Sequence, residues 1–245
     1  MGYTNISNIK SQKSNIHLKN KKLVYSHKKV RYLRAFGNIL IILSVLILIK
    51  ILYQPLLLEV KYFIDKSNHK QYVIVDNVKN NKVDFLKTFE NANKTEVLKP
   101  VDPYFSIVIP KIDANSRVIP NVDPTNEDIY LPALQKGVAH AKGTAFPGEG
   151  GHIFLFAHST DYFWNVTSYN AVFYLLYKLE YNDEIDLFYK NQRIVYRVLE
   201  KKVVDSSEVE YLTRKTNGEF LTLQTCWPLG TTLKRLMVFA ERVRE

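Results

Sequence analysis

Apolar residues are arranged along this chain in two contrasting ways. A mainly apolar run from Phe36 to Tyr53, with Asn38 and Lys50 near its ends, is about long enough for a helix to cross a hydrocarbon core of roughly 30 Å. Beyond residue 102, short apolar runs alternate with turn residues, which is typical of strands. This pattern predicts strands at 105–109, 153–157, 184–189, 193–204, 220–225 and 235–242, and a short amphipathic helix at 171–179. Short strands separated by turns favour an all-β domain that closes into a β-barrel.

The same patterns divide the chain into four parts. We predict a basic cytoplasmic tail at 1–35, a transmembrane anchor at 36–56, an Asn- and Lys-rich stalk at 57–101, and one folded domain at 102–245. A cleaved signal peptide is the alternative for the second part. Its apolar core would be shorter and would precede an Ala-x-Ala-like site, and this sequence lacks one. Whether the stalk packs on the domain is left open.

The positive charge of the chain is concentrated at its N-terminus. The formal net charge is +10, and nine Lys or Arg residues with no Asp or Glu precede residue 35. The rest of the chain is therefore nearly neutral. A basic block beside a membrane span indicates the cytoplasmic flank, so we expect a single-pass cell-membrane protein with an extracytoplasmic domain. Nucleic acid is the other partner of basic tails, but a block adjoining a membrane anchor favours lipid headgroups.

The candidate chemistry begins with Cys226, the only cysteine of the chain. It follows the apolar run at 220–225, and a turn containing Pro228 and Gly230 separates it from Arg235, which opens the next run. Two adjacent strands joined by this turn would bring the thiol and the guanidinium to one end of a sheet. A thiol is a nucleophile, and an arginine can stabilise a developing oxyanion because it stays charged.

A nucleophilic thiol also needs an acid–base partner, and His158 is the candidate. It emerges directly after the predicted strand at 153–157. His152 precedes that strand and would lie at its opposite end, about 17 Å away. For His140 we favour a structural role. A single cysteine also excludes an intramolecular disulfide.

The segment Thr222-Leu-Gln-Thr-Cys226, with Arg235 downstream and Ala157-His-Ser-Thr upstream, resembles the signature of the sortases, cysteine transpeptidases of bacterial surfaces. The likeness covers about 104–245 and is closest to the class D/E type. It implies an eight-stranded β-barrel with short helices, preceded by the transmembrane helix. It also implies that His158, Cys226 and Arg235 are catalytic, and we place Thr225 and Trp227 at the substrate-binding site.

The resemblance further implies the reaction and its partners. The enzyme would cleave an LPxTG-like sorting signal through a thioacyl intermediate and attach the surface protein to an amine of the cell envelope. We expect no cofactor and no metal, although acidic residues in 205–219 leave Ca²⁺ open, and this segment is expected to form one wall of the groove. The alternatives are a membrane-tethered cysteine peptidase, which hydrolyses the same intermediate, and a non-catalytic tethered β-barrel.

Overall fold

A computed structural model describes residues 4–68, 71–74, 95–159 and 172–243. By internal contacts the chain divides into two units, Met1–Tyr53 and Gln54–Glu245. The first helix, α1, extends over Thr4–Ser67 and contains Pro55. Within α1, the 22-residue window Lys29–Lys50 has a mean hydropathy of 2.2 and no buried residue. By length and composition it is one helix that could cross a membrane.

The second unit is built around a closed barrel of eight strands. The barrel strands are β3 Phe105–Ile109, β4 Ala114–Val122, β5 Val138–Ala141, β6 His152–Phe156, β7 Glu184–Tyr189, β8 Gln192–Asp205, β9 Phe220–Trp227 and β10 Lys234–Arg242. Their order around the barrel is β10-β8-β7-β3-β4-β5-β6-β9, and this confirms the predicted fold class. A separate parallel pair joins β1 Gln71–Ile74 to β2 Thr95–Leu98. The helix α2, Glu127–Leu134, lies between β4 and β5 along the chain.

All six predicted strands are present, with ends that differ by up to two residues. Of the barrel strands, the predictions missed β4, because polar residues and Pro120 interrupt its apolar positions, and β5, because it is only four residues long. The short pair β1 and β2 was not predicted either. The helix predicted at 171–179 is wrong over its described part. Residues 172–175 form turns, and a 3₁₀ turn at Leu176–Lys178 follows.

The barrel interior holds the main hydrophobic core. It is formed by fully buried aliphatic side chains that alternate with outward residues along the strands, among them Ile107, Ile153, Leu155, Ile185, Leu187, Leu221, Leu223 and Val238. Gly137 precedes β5 and allows it to lie beside β4. A Cβ at this position would stand 2.3 Å from the Arg117 carbonyl oxygen. Close packing of this kind makes the barrel a rigid support for groups at its ends.

The last turns of α1 pack on the barrel. Tyr62 is 9% exposed and belongs to the main core, while Glu59 forms an ion pair of 3.1 Å with Lys178 and accepts a hydrogen bond from the Tyr177 hydroxyl. Lys61 pairs with Asp113 at the start of β4. The part of the chain around Glu59 is therefore a structural component of the second unit.

Candidate active site

Strands β6, β9 and β10 lie side by side and set the geometry of the site. β6 and β9 are parallel, with Phe156 opposite Gln224. β9 and β10 are antiparallel, with Cys226 directly opposite Arg235. Continuing the first register by two residues places His158 beside Cys226. Two strand ends that are far apart in sequence thus meet at one mouth of the barrel.

Two hydrogen bonds extend the β6–β9 pairing past the last strand residue of β6. The Ala157 amide donates to the Gln224 carbonyl oxygen at 3.1 Å. The Thr225 hydroxyl donates to the Ala157 carbonyl oxygen at 3.0 Å. These bonds hold the backbone immediately before His158, so the imidazole leaves the sheet from a constrained position.

A cleft of about 540 Å³ opens at this mouth, and His158, Cys226 and Arg235 all line it. One wall comes from α2 through Glu127, Tyr130, Leu131 and Leu134. Another wall comes from the 206–212 segment through Ser206, Glu208, Val209 and Leu212. The floor is mixed, with aromatic residues of β6 and polar residues of β9. An extended peptide with apolar and small polar side chains suits such a lining.

Arg235 is held by the backbone. Its Nη1 donates to the carbonyl oxygens of Thr232 at 2.9 Å and Lys234 at 3.0 Å. Among the described residues no carboxylate pairs with this guanidinium. Its positive charge thus stays available to an anion that forms opposite Cys226.

The Cys226 thiol is half-buried. Burial raises its pKa, and the positive charge of Arg235 acts in the opposite direction. Since the net shift is upward, the thiol is largely protonated near neutral pH. Attack on a carbonyl therefore requires that the thiol proton be removed within the site.

The two residues predicted to bind substrate lie in different surroundings. Thr225 is buried, lines the cleft and uses its hydroxyl to hold Ala157. Trp227 packs against the main core, with its ring centroid 5.6 Å from that of Tyr177. Among the described residues, Trp227 is not part of the cleft lining. Substrate binding by either residue remains a prediction.

The two other candidate histidines are buried away from the cleft. His140 accepts a hydrogen bond from the Asn121 amide on Nδ1, so its Nε2 proton faces the Ala145 carbonyl oxygen at 3.0 Å. His152 lies at the start of β6, and its Nε2 is 2.8 Å from the Thr222 hydroxyl. Burial lowers the pKa of His152 from an ordinary 6.5 to about 4. Both rings are structural and uncharged at neutral pH.

The sequence reasoning missed α2 and with it Glu127 and Tyr130. The sequence does contain a helix-start pattern here, an asparagine followed by two acidic residues. In the structure Asn126 caps the helix by accepting a hydrogen bond from the Asp128 amide. The Tyr130 hydroxyl donates to Glu127 Oε1 at 3.1 Å. In the described residues no group of three or more His, Cys, Asp or Glu side chains is placed to hold a metal ion.

A closed barrel with a cysteine, a histidine and an arginine at one mouth defines a candidate thiol enzyme. The family model of the sortase domain matches residues 107–243, and the chain belongs to the sortase family. Sortases are cysteine transpeptidases, and the resemblance first seen in the Thr222–Cys226 segment is confirmed.

Three relatives illustrate the match. The chain is 31% identical to Sortase D of Bacillus subtilis (strain 168) over 138 residues, which is 55% of this chain and 61% of that protein. It is 26% identical to Sortase A of Listeria monocytogenes serovar 1/2a over 191 residues, 74% of this chain and 79% of that protein. The structure of sortase C-1 from Actinomyces oris aligns with a TM-score of 0.49 at 27% identity, covering 70% of this chain and 85% of that one.

Proposed function

We propose that this protein is a membrane-anchored transpeptidase that cleaves an LPxTG-like sorting signal and transfers the surface protein to an amine of the cell envelope. One observation carries the proposal. Cys226 and Arg235 are cross-strand partners, and they share one cleft with His158. Membership of the sortase family supports the same reaction class.

In the first half of the reaction, the Cys226 thiolate adds to the carbonyl carbon of the scissile peptide bond. Arg235 donates hydrogen bonds to the oxyanion that forms, since the N–H groups on Nε and Nη2 are not among those that bind the backbone. His158, carrying the proton taken from the thiol, gives it to the leaving amine. The C–N bond breaks, and the peptide remains attached to Cys226 as a thioester.

In the second half, an amine attacks the thioester carbon. His158, now neutral, takes a proton from the incoming nitrogen. The C–S bond breaks, the new amide bond forms, and Cys226 leaves as the thiolate. Arg235 again stabilises the oxyanion. The protons balance because the one delivered to the first amine is recovered from the second.

The location of the enzyme is part of the proposal. The apolar window Lys29–Lys50 serves as the anchor, and the basic residues that precede it place the N-terminus in the cytoplasm. The barrel then faces outward, where its partners would be surface proteins with sorting signals and an amine-bearing envelope component. No cofactor is required by the steps above.

The test uses the full chain in detergent micelles with a library of LPxTG-like peptides and an amine acceptor, and identifies the products by mass spectrometry. We expect a peptide–amine product with the wild type and none with Cys226→Ala. Hydrolysis without transfer would support a membrane-tethered peptidase instead. If neither product forms and an alkylating probe leaves Cys226 unmodified, the protein is a non-catalytic barrel.

A further inference from the structure

The α2 wall of the cleft carries a carboxylate, Glu127, which has no role in the formation or the resolution of the thioester as proposed. We propose that Glu127, oriented by Tyr130, recruits the positively charged amine acceptor to the thioester on Cys226. This inference rests on the proposed function and adds to it a specificity residue for the second substrate.

Tyr130 is firmly placed within the cleft wall. It is half-buried, and its ring meets the Phe156 ring edge-on, with centroids 6.5 Å apart and an interplanar angle of 75°. Phe156 is the last residue of β6, two positions before His158. The phenol thus projects from a support that is continuous with the catalytic strand, and its hydroxyl donates to Glu127 Oε1 at 3.1 Å.

Tyr130 lines the same cleft as Cys226 and Arg235. Burial raises its pKa, and the hydrogen bond to Glu127 and the Cys226 thiol add to the rise, while the Arg235 guanidinium opposes it. The phenol therefore remains a donor at any working pH. It engages only one oxygen of Glu127, and Oε2 of this exposed side chain accepts no hydrogen bond from the described residues.

The two substrates place different electrostatic demands on the cleft. The first half-reaction generates an oxyanion, which the positive charge of Arg235 suits. The acceptor arrives near neutral pH as an ammonium group, and Arg235 repels it. A carboxylate at the cleft mouth offsets this repulsion by direct Coulomb attraction. The ammonium first loses one proton to solvent. The resulting amine then attacks the thioester carbon and gives a second proton to His158, while the C–S bond breaks and Cys226 leaves as the thiolate.

The other carboxylate in the cleft lining has a different task. Glu208 Oε1 accepts a hydrogen bond from the Asp205 amide at 3.0 Å and closes the turn after β8. Glu127 has no comparable backbone partner among the described residues. Of the two carboxylates that line the cleft, Glu127 is therefore oriented by the Tyr130 side chain, whereas Glu208 is oriented by the backbone of a turn.

The experiment is a competition within one acyl-enzyme. Full-length protein is acylated by an LPxTG-like donor peptide in the presence of both a glycine peptide, whose amine is an ammonium near neutral pH, and hydroxylamine, which is mostly uncharged there. The ratio of amide to hydroxamate product is measured by mass spectrometry. This ratio depends only on the second half-reaction, and it is independent of how much protein is folded or how fast it is acylated.

We expect Glu127→Gln to shift the product ratio about fivefold toward the hydroxamate. A shift of this size corresponds to the free energy of a favourable exposed ion pair. Tyr130→Phe should shift it in the same direction by less, because the carboxylate remains but loses its orientation. Asp128→Asn is the matched control, since it removes the same charge from the same helix turn outside the cleft lining. High salt should bring the wild-type ratio close to that of the Glu127→Gln variant.

An unchanged ratio in Glu127→Gln, or an equal shift in Asp128→Asn, would overturn the inference while leaving the proposed function intact. So would a slower acylation with the product ratio preserved, which would assign Glu127 to the donor peptide. If the wild type forms no thioacyl intermediate, the proposed function fails, and this inference fails with it.

Discussion

Strands β6, β9 and β10 carry polar groups at both ends, with His152, Glu219 and Arg242 at one end and His158, Cys226 and Arg235 at the other, and the surroundings of the two sets differ. At the far end from the cleft, the histidine and the carboxylate are buried. His152 is buried and bonded to a threonine. The Glu219 side chain is 6% exposed and accepts four hydrogen bonds, donated by Gly148 N, Gly150 N, the Tyr196 hydroxyl and Arg242 Nη1.

At the cleft end, the corresponding groups are left accessible. His158, Cys226 and Arg235 are each half-buried and share one cleft. Arg235 bonds to two backbone carbonyl oxygens and to no carboxylate in the described part of the chain. The two ends of these strands thus differ in exposure: His152 and Glu219 are enclosed by the protein, whereas His158, Cys226 and Arg235 line an open cleft.

The sharpest test of this contrast is a pair of histidine substitutions. His158→Gln should lower kcat for transpeptidation by about 10²–10⁴-fold, because it removes the acid–base group. His152→Gln should leave kcat within a few-fold of the wild type. Steady-state transfer assays on the full chain measure both. A comparable loss in the two variants would mean that the ends are not functionally distinct.

The arginines give the next largest difference. Arg235→Ala should lower kcat by about 10²–10³-fold through loss of oxyanion stabilisation. It should also slow alkylation of Cys226 at a given pH, because the arginine opposes the rise in the thiol pKa caused by burial. Arg242→Ala is the matched control at the far end of the same strand. If Arg235→Ala kept full activity, Arg235 would be a structural residue.

The contrast between the two ends was only partly predictable from the sequence. The apolar runs of the sequence predicted β6, β9 and β10, and they predicted that His158, Cys226 and Arg235 lie at or just beyond the ends of these strands. The pairing of β6 with β9 joins segments about 70 residues apart, and residue patterns carry no information on such a register. Glu219 was likewise unremarkable in the sequence, because its role comes from donors that converge from three other parts of the chain.

The cleft wall and the end of α1 escaped prediction for different physical reasons. α2 has only eight residues and contains Pro132, so its periodicity is too short to recognise. Tyr62 packs into the core with the Lys178 ammonium over its ring, a contact between residues far apart along the chain. Within an Asn- and Lys-rich stretch a single tyrosine gives no signal that it is buried.

Acid stability should reveal the buried histidine of the far end. The folded-state pKa of His152 lies near 4, below the ordinary 6.5. Between these two pH values the unfolded chain binds more protons at residue 152 than the folded protein does. The contribution of neutral His152 to the free energy of unfolding is therefore full above pH 6.5 and is lost as the pH falls toward 4. The loss is on the order of 3 kcal/mol.

Urea denaturation at a series of pH values measures this effect. His152→Gln should show a smaller fall in the free energy of unfolding between pH 6.5 and pH 4 than the wild type, since it removes the titrating ring. His140, whose pKa burial also lowers, contributes in the same direction in both proteins and cancels in the comparison. Identical pH profiles for the two proteins would show that the His152 ring is not buried as a neutral group.

The smallest expected effect concerns Glu219. Glu219→Gln keeps the size of the side chain but replaces one acceptor oxygen with an amide donor, which faces N–H and O–H groups that also donate. At least one buried donor is then left without an acceptor, at a cost of about 1–3 kcal/mol in the free energy of unfolding. The folded fraction should keep its transpeptidation rate, because the change lies at the opposite end of β9 from Cys226. A loss of rate that exceeds the loss of folded protein would show that the two ends are coupled through the strand, and the contrast between them would then be one of degree.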